Sequence, residues 1–170
     1  MHHLSRYRHF IMRCFGVALS LLVLLVFQAC QTADTADVSL YSQEQIVFQQ
    51  VNTYRTSRGL SGLEWDDRVA EQARNHSLNM AQGMVPFGHE GFSGRVSALS
   101  GQFDLMTAAE NVGMTSALDS PAWVVVESWV NSGNHQQNIL GEYQLTGVGA
   151  AYEKASDCWY FTQIYIQLQP

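Results

Sequence analysis

The order of helical and strand-like patterns along the chain constrains its fold more than any other feature. In the first half, Val47, Val51 and Tyr54 recur three or four residues apart, which is the spacing of an apolar helix face. Near the C-terminus, residues 146–153 and 159–166 have strand-like patterns and flank a short polar turn, which indicates a β-hairpin. Helices first and strands last predict an α+β domain in which helices cover a small antiparallel sheet.

Local signals predict two further helices and one further strand. Asp66 or Asp67 can cap a second helix that ends at Gly83, because aspartate side chains accept hydrogen bonds at helix starts and glycine ends helices. A third helix is predicted to begin at Ser120-Pro121, with the serine as the cap and the proline in the first turn. Glu110–Met114 is predicted to be a short strand.

The N-terminal residues have the pattern of an export signal. Arginines near the start precede an apolar run over residues 15–27, which is too short to span a bilayer comfortably. We therefore predict a signal peptide over residues 1–30, a polar tether over residues 31–43 and one domain over residues 44–170. An uncleaved anchor helix is the alternative interpretation of the apolar run.

The end of the predicted signal, Phe27-Gln28-Ala29-Cys30, resembles the lipobox of bacterial lipoproteins, whose cysteine is acylated and becomes the new N-terminus. We predict a protein that is exported to the cell envelope and anchored in a membrane through lipidated Cys30, because several acyl chains make anchoring stable. That membrane would be the outer one if the host has it. Without acylation, the protein would be secreted, and a disulfide between Cys30 and Cys158 would be open to it.

The composition argues against nucleic acid as a partner. After Cys30, six basic residues face fifteen carboxylates, so this part of the chain has a formal charge of −9. Affinity for nucleic acid depends on Lys and Arg side chains that neutralise phosphates. Anionic lipid is disfavoured at the domain surface for the same reason. Cys158 is the single cysteine after Cys30, so burial rather than a disulfide framework must hold the domain together.

Five short segments occur in a fixed order from the middle of the chain to its end. They are Phe87-Gly88-His89-Glu90, Ala109-Glu110-Asn111, the stretch from Trp129 to Leu140, Thr146-Gly147-Val148-Gly149 and Tyr160-Phe161-Thr162-Gln163. Together they resemble the bacterial branch of the CAP superfamily, the fold of cysteine-rich secretory proteins, venom antigen 5 and plant pathogenesis-related protein 1. The resemblance runs from about Glu44 to Gln167. It implies a three-layer α-β-α sandwich with a central cleft.

Three histidines follow the predicted signal, namely His76, His89 and His135. His76 shares an apolar helical stripe with Ala73 and Met80, so we expect a core histidine whose nitrogens hydrogen-bond the sheet. His89 lies in a loop with a glycine on either side, and loops on a rigid scaffold commonly carry function. The matching histidine of CAP proteins points into the cleft.

Glu110 is the carboxylate most clearly suited to a site. It begins a short apolar strand, where an unpaired carboxylate would be costly. We therefore expect a cation, a histidine or backbone donors beside it. It matches the glutamate of the family's Gly-Glu-Asn motif, with Ala109 in place of the glycine. A histidine paired with a glutamate can serve proton transfer or a metal site.

The resemblance also assigns the remaining positions of the cleft. Animal and plant members have two histidines and two glutamates there, and the first of each falls on His89 and Glu110. The second glutamate falls on Ser132 and the second histidine on Tyr160, so half of the set is replaced. His135 matches the histidine that follows the tryptophan of the bacterial pattern. The predicted cleft is therefore lined by His89, Glu110, Ser132, His135 and Tyr160.

The motifs require no cofactor, and a divalent metal such as zinc is the one candidate. Histidine and carboxylate are usual zinc ligands, so His89 and His135, with Glu110 or water, would hold it. No nucleophile elbow, zinc-protease motif or phosphate-binding glycine loop occurs in the chain. Ser132 lies close to His135 in sequence, but serine is also common at helix ends because it hydrogen-bonds the local backbone.

The sequence favours a cell-envelope ligand-binding module over an enzyme, because histidines and a carboxylate are present without a defined nucleophile. The expected occupant of the cleft is a divalent metal, another small ligand, a lipid, a glycan or a partner protein. One alternative is an envelope hydrolase or peptidase that uses His89, Glu110 and His135. The other is a structural or adhesion protein with a vestigial cleft.

Overall fold

Helices cover both faces of a four-stranded sheet in the computed structural model, which describes residues 39–116 and 119–170. Residues Leu40–Pro170 form one compact unit. The predicted signal peptide, the predicted lipidation site Cys30 and residues 31–38 of the predicted tether lie outside the described residues. Within the described part, no helix has the length and apolarity that crossing a membrane requires.

The elements follow the predicted order, with helices early and a hairpin at the end. Asp66 caps the second helix by accepting hydrogen bonds from the backbone N–H groups of Arg68 and Val69. Ser120 precedes the fourth helix as predicted, but its side chain makes no capping hydrogen bond. In chain order the elements are α1 (39–57), β1 (Glu64–Trp65), α2 (Asp67–Ala81), α3 (Phe92–Ser100), β2 (Leu105–Thr115), α4 (Pro121–Val130), α5 (Gly133–Ile139), β3 (Leu145–Glu153) and β4 (Cys158–Leu168).

The strands lie in the order β1-β3-β4-β2. The hairpin strands β3 and β4 are antiparallel, and β2 pairs with the other side of β4, also antiparallel. The sheet is not purely antiparallel, because β1 runs parallel to β3 through the pair Glu64 and Leu145. A two-residue strand carries too little alternation to be detected in a sequence. β2 forms an edge of the sheet, so its outer side is open to side chains of the candidate site.

One face of the sheet lies against α2, and glycines permit the close approach. A Cβ at Gly147 would clash with the backbone of Val69 and Ala70. One at Gly149 would clash with the backbone of α2 one turn later. Ser77 adds a polar contact, since its hydroxyl donates to the carbonyl of Gly149 at 3.0 Å. The two glycines of the Thr-Gly-Val-Gly segment therefore set the distance between α2 and the sheet.

The opposite face is covered by α1, α4 and α5 around the larger hydrophobic core. Trp129 of α4 is 1% exposed, and a Cβ at Gly113 of β2 would meet its indole ring. The indole N–H of Trp129 donates to the carbonyl of Val112 at 3.1 Å. Val47 and Val51 of α1 are fully buried in the same cluster. The predicted α+β class and the three-layer α-β-α arrangement are therefore confirmed.

Two sequence-based boundaries need correction, and one helix was not predicted. Residues 39–43, assigned to the tether, are helical and belong to α1, because Leu40 packs against the core. α3 was not predicted, since Leu99 is its only fully buried residue and its other positions show no helical apolar stripe. β2 is longer than Glu110–Met114, because its first half is a partly exposed edge segment with weak alternation.

Candidate functional site

The site lies beside β2, between α5 and the loop that joins α2 to α3. Two backbone carbonyls of β2 accept hydrogen bonds from side chains of α4 and α5. The amide of Asn138 donates to the carbonyl of Glu110 at 3.1 Å, and the indole of Trp129 occupies the carbonyl of Val112. Such side chains prevent an edge strand from pairing with another chain. They also fix α5, which carries His135, next to Glu110.

Glu110 is a buried carboxylate held by an arginine that the sequence analysis did not identify. Its side chain is 1% exposed, and that of Arg95 is 11% exposed. Nε of Arg95 donates to Oε2 of Glu110 at 2.9 Å, and Nη2 donates to Oε1 at 2.8 Å. A two-point contact of this kind gives a carboxylate a defined orientation as well as a counter-charge. The expectation of a cation beside Glu110 is confirmed.

His89 is the second partner of Glu110 and faces solvent. Its Nδ1 donates to Oε1 of Glu110 at 2.9 Å, while its side chain is 52% exposed. A carboxylate only accepts hydrogen bonds, so the neutral ring must carry its proton on Nδ1. Nε2 then holds a lone pair, and it has no hydrogen-bond partner among the described residues. Nε2 of His89 is therefore available to a ligand.

His135 lies on α5 and approaches the same space from the other side. Its Nδ1 shares a hydrogen bond of 3.0 Å with the hydroxyl of Ser132, the residue that precedes α5. Burial lowers the pKa of His135, and the charge of His89 lowers it further. His135 is thus neutral over a wider range of pH than a free histidine. The backbone carbonyl of His135 is held by Asn111, the residue after Glu110, so the His135 segment lies beside the strand that carries the partner of His89.

Two asparagines hold the His135 segment against β2. Asn111 is fully buried and donates to the carbonyl of His135 at 3.1 Å. Asn138 donates to the side-chain oxygen of Asn111 at 2.9 Å. Both asparagines thus tie a helix segment to a strand. The Ala-Glu-Asn segment therefore contributes a carboxylate to the site and an amide that positions the opposite wall.

His76 is buried as predicted, but its partner is not the sheet. Its Nε2 donates to the carbonyl of Gly88 at 2.8 Å, which lies in the loop immediately before His89. Burial lowers the pKa of His76 most, and the charges of Arg95 and His89 act in the same direction. The hydrogen bond to Gly88 and the charge of Glu110 oppose this shift. His76 therefore belongs to the support of the His89 loop.

Tyr160 lies further along the sheet than the other predicted residues. It pairs with Met114 of β2, four positions from Glu110, which corresponds to about 13 Å along a strand. Its ring is tilted against that of Phe87, with 6.5 Å between centroids. Burial raises its pKa, and nearby Cys158 and Glu153 raise it further. Tyr160 thus contacts the His89 loop at Phe87, whereas Glu110 contacts His89 and Ser132 contacts His135.

Ser132 and His135 form only part of a serine-nucleophile arrangement among the described residues. A serine nucleophile needs a base that is itself oriented by a third group. Ser132 contacts His135, but no carboxylate contacts that ring among the described residues. The buried acid of the site, Glu110, is instead occupied by Arg95 and His89. Cys158 is buried, and burial raises its pKa, which disfavours a reactive thiolate.

The residues also allow a test of the metal prediction. Residues 39–116 and 119–170 contain no group of three or more His, Cys, Asp and Glu side chains arranged to hold a metal ion. Glu110 has both oxygens engaged by Arg95, so it is a poor direct ligand. The Nδ1 atoms of His89 and His135 are engaged by Glu110 and Ser132, so Nε2 is the nitrogen that each ring would offer to a metal. Such a site would keep its other positions for water or for an incoming ligand.

Arg95 is the functional residue that sequence reasoning missed. It lies fifteen positions before Glu110 in a helix that was not predicted, so no local pattern joined the two. One signal was available. Glu110 required a counter-charge, and only six basic residues follow Cys30. Of these, Arg95 is the nearest in sequence to both His89 and Glu110.

A cavity lies between α1 and α4. Its volume is about 550 Å³. The amide nitrogen of Gln50, one of its lining residues, is buried without a hydrogen-bond partner in the described structure. Trp123 stands at the cavity and is 60% exposed. The other residues around it are Thr53, Tyr54, Ser57, Val126, Glu127 and Val130.

Known proteins resemble this chain in both sequence and fold. The membrane protein YlbC of Bacillus subtilis is 33% identical over 132 residues, covering 74% of this chain and 35% of YlbC. The chain thus spans about a third of the length of that relative. An extracellular protein of Bacillus anthracis that contains a SCP domain matches with a TM-score of 0.63 and 27% identity, over 75% of this chain and 41% of that one.

A third similarity concerns the fold alone. An outer surface protein of Borrelia burgdorferi matches with a TM-score of 0.64 and 14% identity, over 75% of this chain and 94% of that one. The model of the CAP family, described as the cysteine-rich secretory protein family, matches residues 48–165. This match includes His89, Glu110 and His135. By sequence and by the α-β-α sandwich, the chain belongs to the CAP family.

Proposed function

We propose that the protein is a ligand-binding module of the cell envelope, in which Nε2 of His89 and Nε2 of His135 hold a divalent metal such as zinc. One observation carries the proposal. The hydrogen bond from Nδ1 of His89 to Glu110 selects the ring form whose lone pair is on the exposed nitrogen. Metal-binding histidines commonly donate their other ring N–H to a carboxylate in this way.

Glu110 has an orienting role in this proposal rather than a binding one. Arg95 holds the carboxylate at two points, and the carboxylate in turn holds the ring of His89. The metal, when bound, would supply a Lewis-acidic centre with open positions. A ligand with a nitrogen, oxygen or sulfur donor would bind there. The absence of an oriented nucleophile around Ser132, within the described part of the chain, supports a binding role over a hydrolytic one.

Zinc titration by calorimetry on the full chain tests the proposal. We expect one equivalent of zinc to bind the wild type and to be lost in the double variant His89→Ala/His135→Ala. The matched control is Glu90→Ala/Asn134→Ala, which changes an exposed neighbour of each histidine and should bind as the wild type does. Histidines before residue 30 are present in all three proteins, so their contribution cancels. Equal binding by the double variant would contradict the proposal.

The envelope location rests on two arguments. Similar proteins are described as an extracellular protein, an outer surface protein and a membrane protein. The segment that ends at Cys30 resembles a lipobox. Labelling of growing cells with radioactive palmitate tests the anchor. We expect label on the wild type and none on Cys30→Ser. Equal labelling of both, or no label on either, would contradict lipid anchoring through this residue.

The cavity between α1 and α4 supports a second candidate function, the binding of a ligand with an apolar body and one hydrogen-bond acceptor. Gln50 provides a buried amide donor without a partner among the described residues, and Trp123 and Val126 provide apolar surface. A fluorescent fatty acid is a suitable probe. Thr53→Trp should fill the cavity and weaken binding, while Thr56→Trp on the same helix should not. Absence of probe binding to the wild type would contradict this function.

A further inference from the structure

The loop that carries His89 is held at the two carbonyl groups on either side of that residue. The carbonyl of Gly88 accepts a hydrogen bond of 2.8 Å from Nε2 of His76. The carbonyl of Glu90 accepts one of 2.9 Å from Nη1 of Arg95. Arg95 also binds Glu110, the acceptor for the ring of His89. His76 and Arg95 therefore hold the backbone around His89, and Arg95 also holds Glu110, the partner of the His89 side chain.

The loop needs such support because of its own backbone. Gly88 has φ of +145°, a conformation that glycine adopts and other residues rarely do. A Cβ at this position would meet nothing within 4 Å, so backbone conformation rather than lack of space favours glycine here. A glycine loses more conformational freedom on ordering than other residues. A hydrogen bond from a rigid helix is a direct way to keep this peptide in one orientation.

His76 is well suited to give that hydrogen bond. It is 2% exposed and lies on α2, which the sheet holds through the close contacts of Gly147 and Gly149. Its neighbour Ser77 binds the sheet, through Gly149 and Thr162, whereas the hydrogen bond of the His76 ring goes to the loop. The charges of Arg95, Glu110 and His89 act on His76, and these three residues belong to the candidate site.

We propose that His76 is a positioning residue of the metal site. The Nε2–H group of His76 fixes the Gly88 peptide. This keeps the hydrogen bond from Nδ1 of His89 to Glu110 and leaves Nε2 of His89 open to the ligand. This deepens the proposed function and rests on it for the identity of the ligand. The arrangement of the His89 ring can be measured without any ligand. The two proposals therefore fail separately.

The test compares three variants of the full chain with the wild type. His76→Leu removes the donor, His76→Gln keeps an N–H that can reach Gly88, and Ser77→Ala removes a buried hydrogen bond of α2 that does not involve the loop. Nitrogen NMR of the histidine rings reports whether the proton of His89 is on Nδ1 or Nε2. Calorimetry reports zinc affinity in the same samples.

We expect His76→Leu to mix the two ring forms of His89 and to weaken zinc binding about 10–100-fold, as loss of a residue that orients a metal ligand does. His76→Gln and Ser77→Ala should keep the wild-type ring form and affinity. An unchanged His89 ring in His76→Leu would overturn the proposal. So would an equal change in Ser77→Ala, which would indicate general loosening of α2.

If His76→Leu does not fold, His76→Asn replaces it, because its shorter amide is polar but does not reach Gly88, and the same expectations apply. If the wild type binds no zinc, the proposed function is rejected. The comparison of His89 ring forms among the variants then still supports or overturns the positioning role.

Discussion

Arg95 contacts both carboxylate oxygens of Glu110, through Nε at 2.9 Å and Nη2 at 2.8 Å. This contact determines what the buried acid of the cleft can do. A buried carboxylate that is fully occupied by a guanidinium is neither a free base nor an easy metal ligand. It can, however, orient the ring of His89. In the proposed function, the imidazoles of His89 and His135 rather than Glu110 therefore bind the metal.

Loss of Arg95 should destabilise the domain strongly. Arg95→Leu leaves a carboxylate that is 1% exposed without its counter-charge, and breaking a buried pair in this way costs about 3–5 kcal/mol. Urea denaturation of the full chain measures the free energy of unfolding. The control is Arg68→Leu, because Arg68 is 50% exposed where it pairs with Asp66, and we expect a much smaller loss. Equal losses in the two variants would contradict the buried-pair interpretation.

Gly147 should be intolerant of even one methyl group. Gly147→Ala places a Cβ against the backbone of Val69 and Ala70, so α2 must move away from the sheet at a cost of about 1–3 kcal/mol. Gly94→Ala in α3 is the control, since a Cβ there meets nothing within 4 Å. That variant should be neutral or stabilised by up to about 1 kcal/mol. Thermal denaturation that ranks them in the opposite order would refute this account of the α2 packing.

The sequence predicted the parts of the fold that have a strong local pattern. Burial on one face produces the helical spacing around Val47 and Val51 and the alternation of β3 and β4. The sequence of each of these elements therefore reveals which of its faces is buried. β1 has two residues and α3 has one fully buried residue, so neither shows such a pattern. Both are formed by contacts with distant parts of the chain.

The site was predictable to a similar degree. His89, Glu110 and His135 lie in sequence motifs, and the fold places the ring of His89 on Glu110 and the backbone of His135 on Asn111, the neighbour of Glu110. Arg95 and the loop contact of His76 depend on how α2 and α3 lie over the edge of β2. The prediction that His76 hydrogen-bonds the sheet was wrong. Helical spacing shows that His76 is on the buried face of α2, but it does not show which group accepts the hydrogen bond of the ring.

The two tryptophans of α4 should differ sharply in their importance for stability. Trp129 is 1% exposed and Trp123 is 60% exposed. Trp129→Ala removes a buried ring and should cost about 3–5 kcal/mol. Trp123→Ala should change the free energy of unfolding by no more than about 0.5 kcal/mol. Chemical denaturation followed by circular dichroism measures both, and a costly Trp123→Ala would show that this ring is not a surface residue.

Acid should weaken the fold partly through His76. Burial holds its pKa below the usual value in the folded state, so the unfolded chain binds a proton first as the pH falls through about 6.5. Stability is therefore complete above that pH and is lost as the pH falls toward the folded pKa. His76→Gln should lose less stability than the wild type between about pH 7.5 and about pH 5.5, in the range around the pKa of free histidine. An equal loss would exclude His76 as a cause.

Anomalous diffraction at the zinc edge, from crystals of the protein grown with zinc, tests the proposed metal site most directly. The account predicts one peak about 2.0–2.1 Å from Nε2 of His89 and from Nε2 of His135, with Glu110 still held by Arg95. A map without a peak between the two rings would contradict the account. So would a peak on Nδ1 of His89, with Glu110 displaced from the ring.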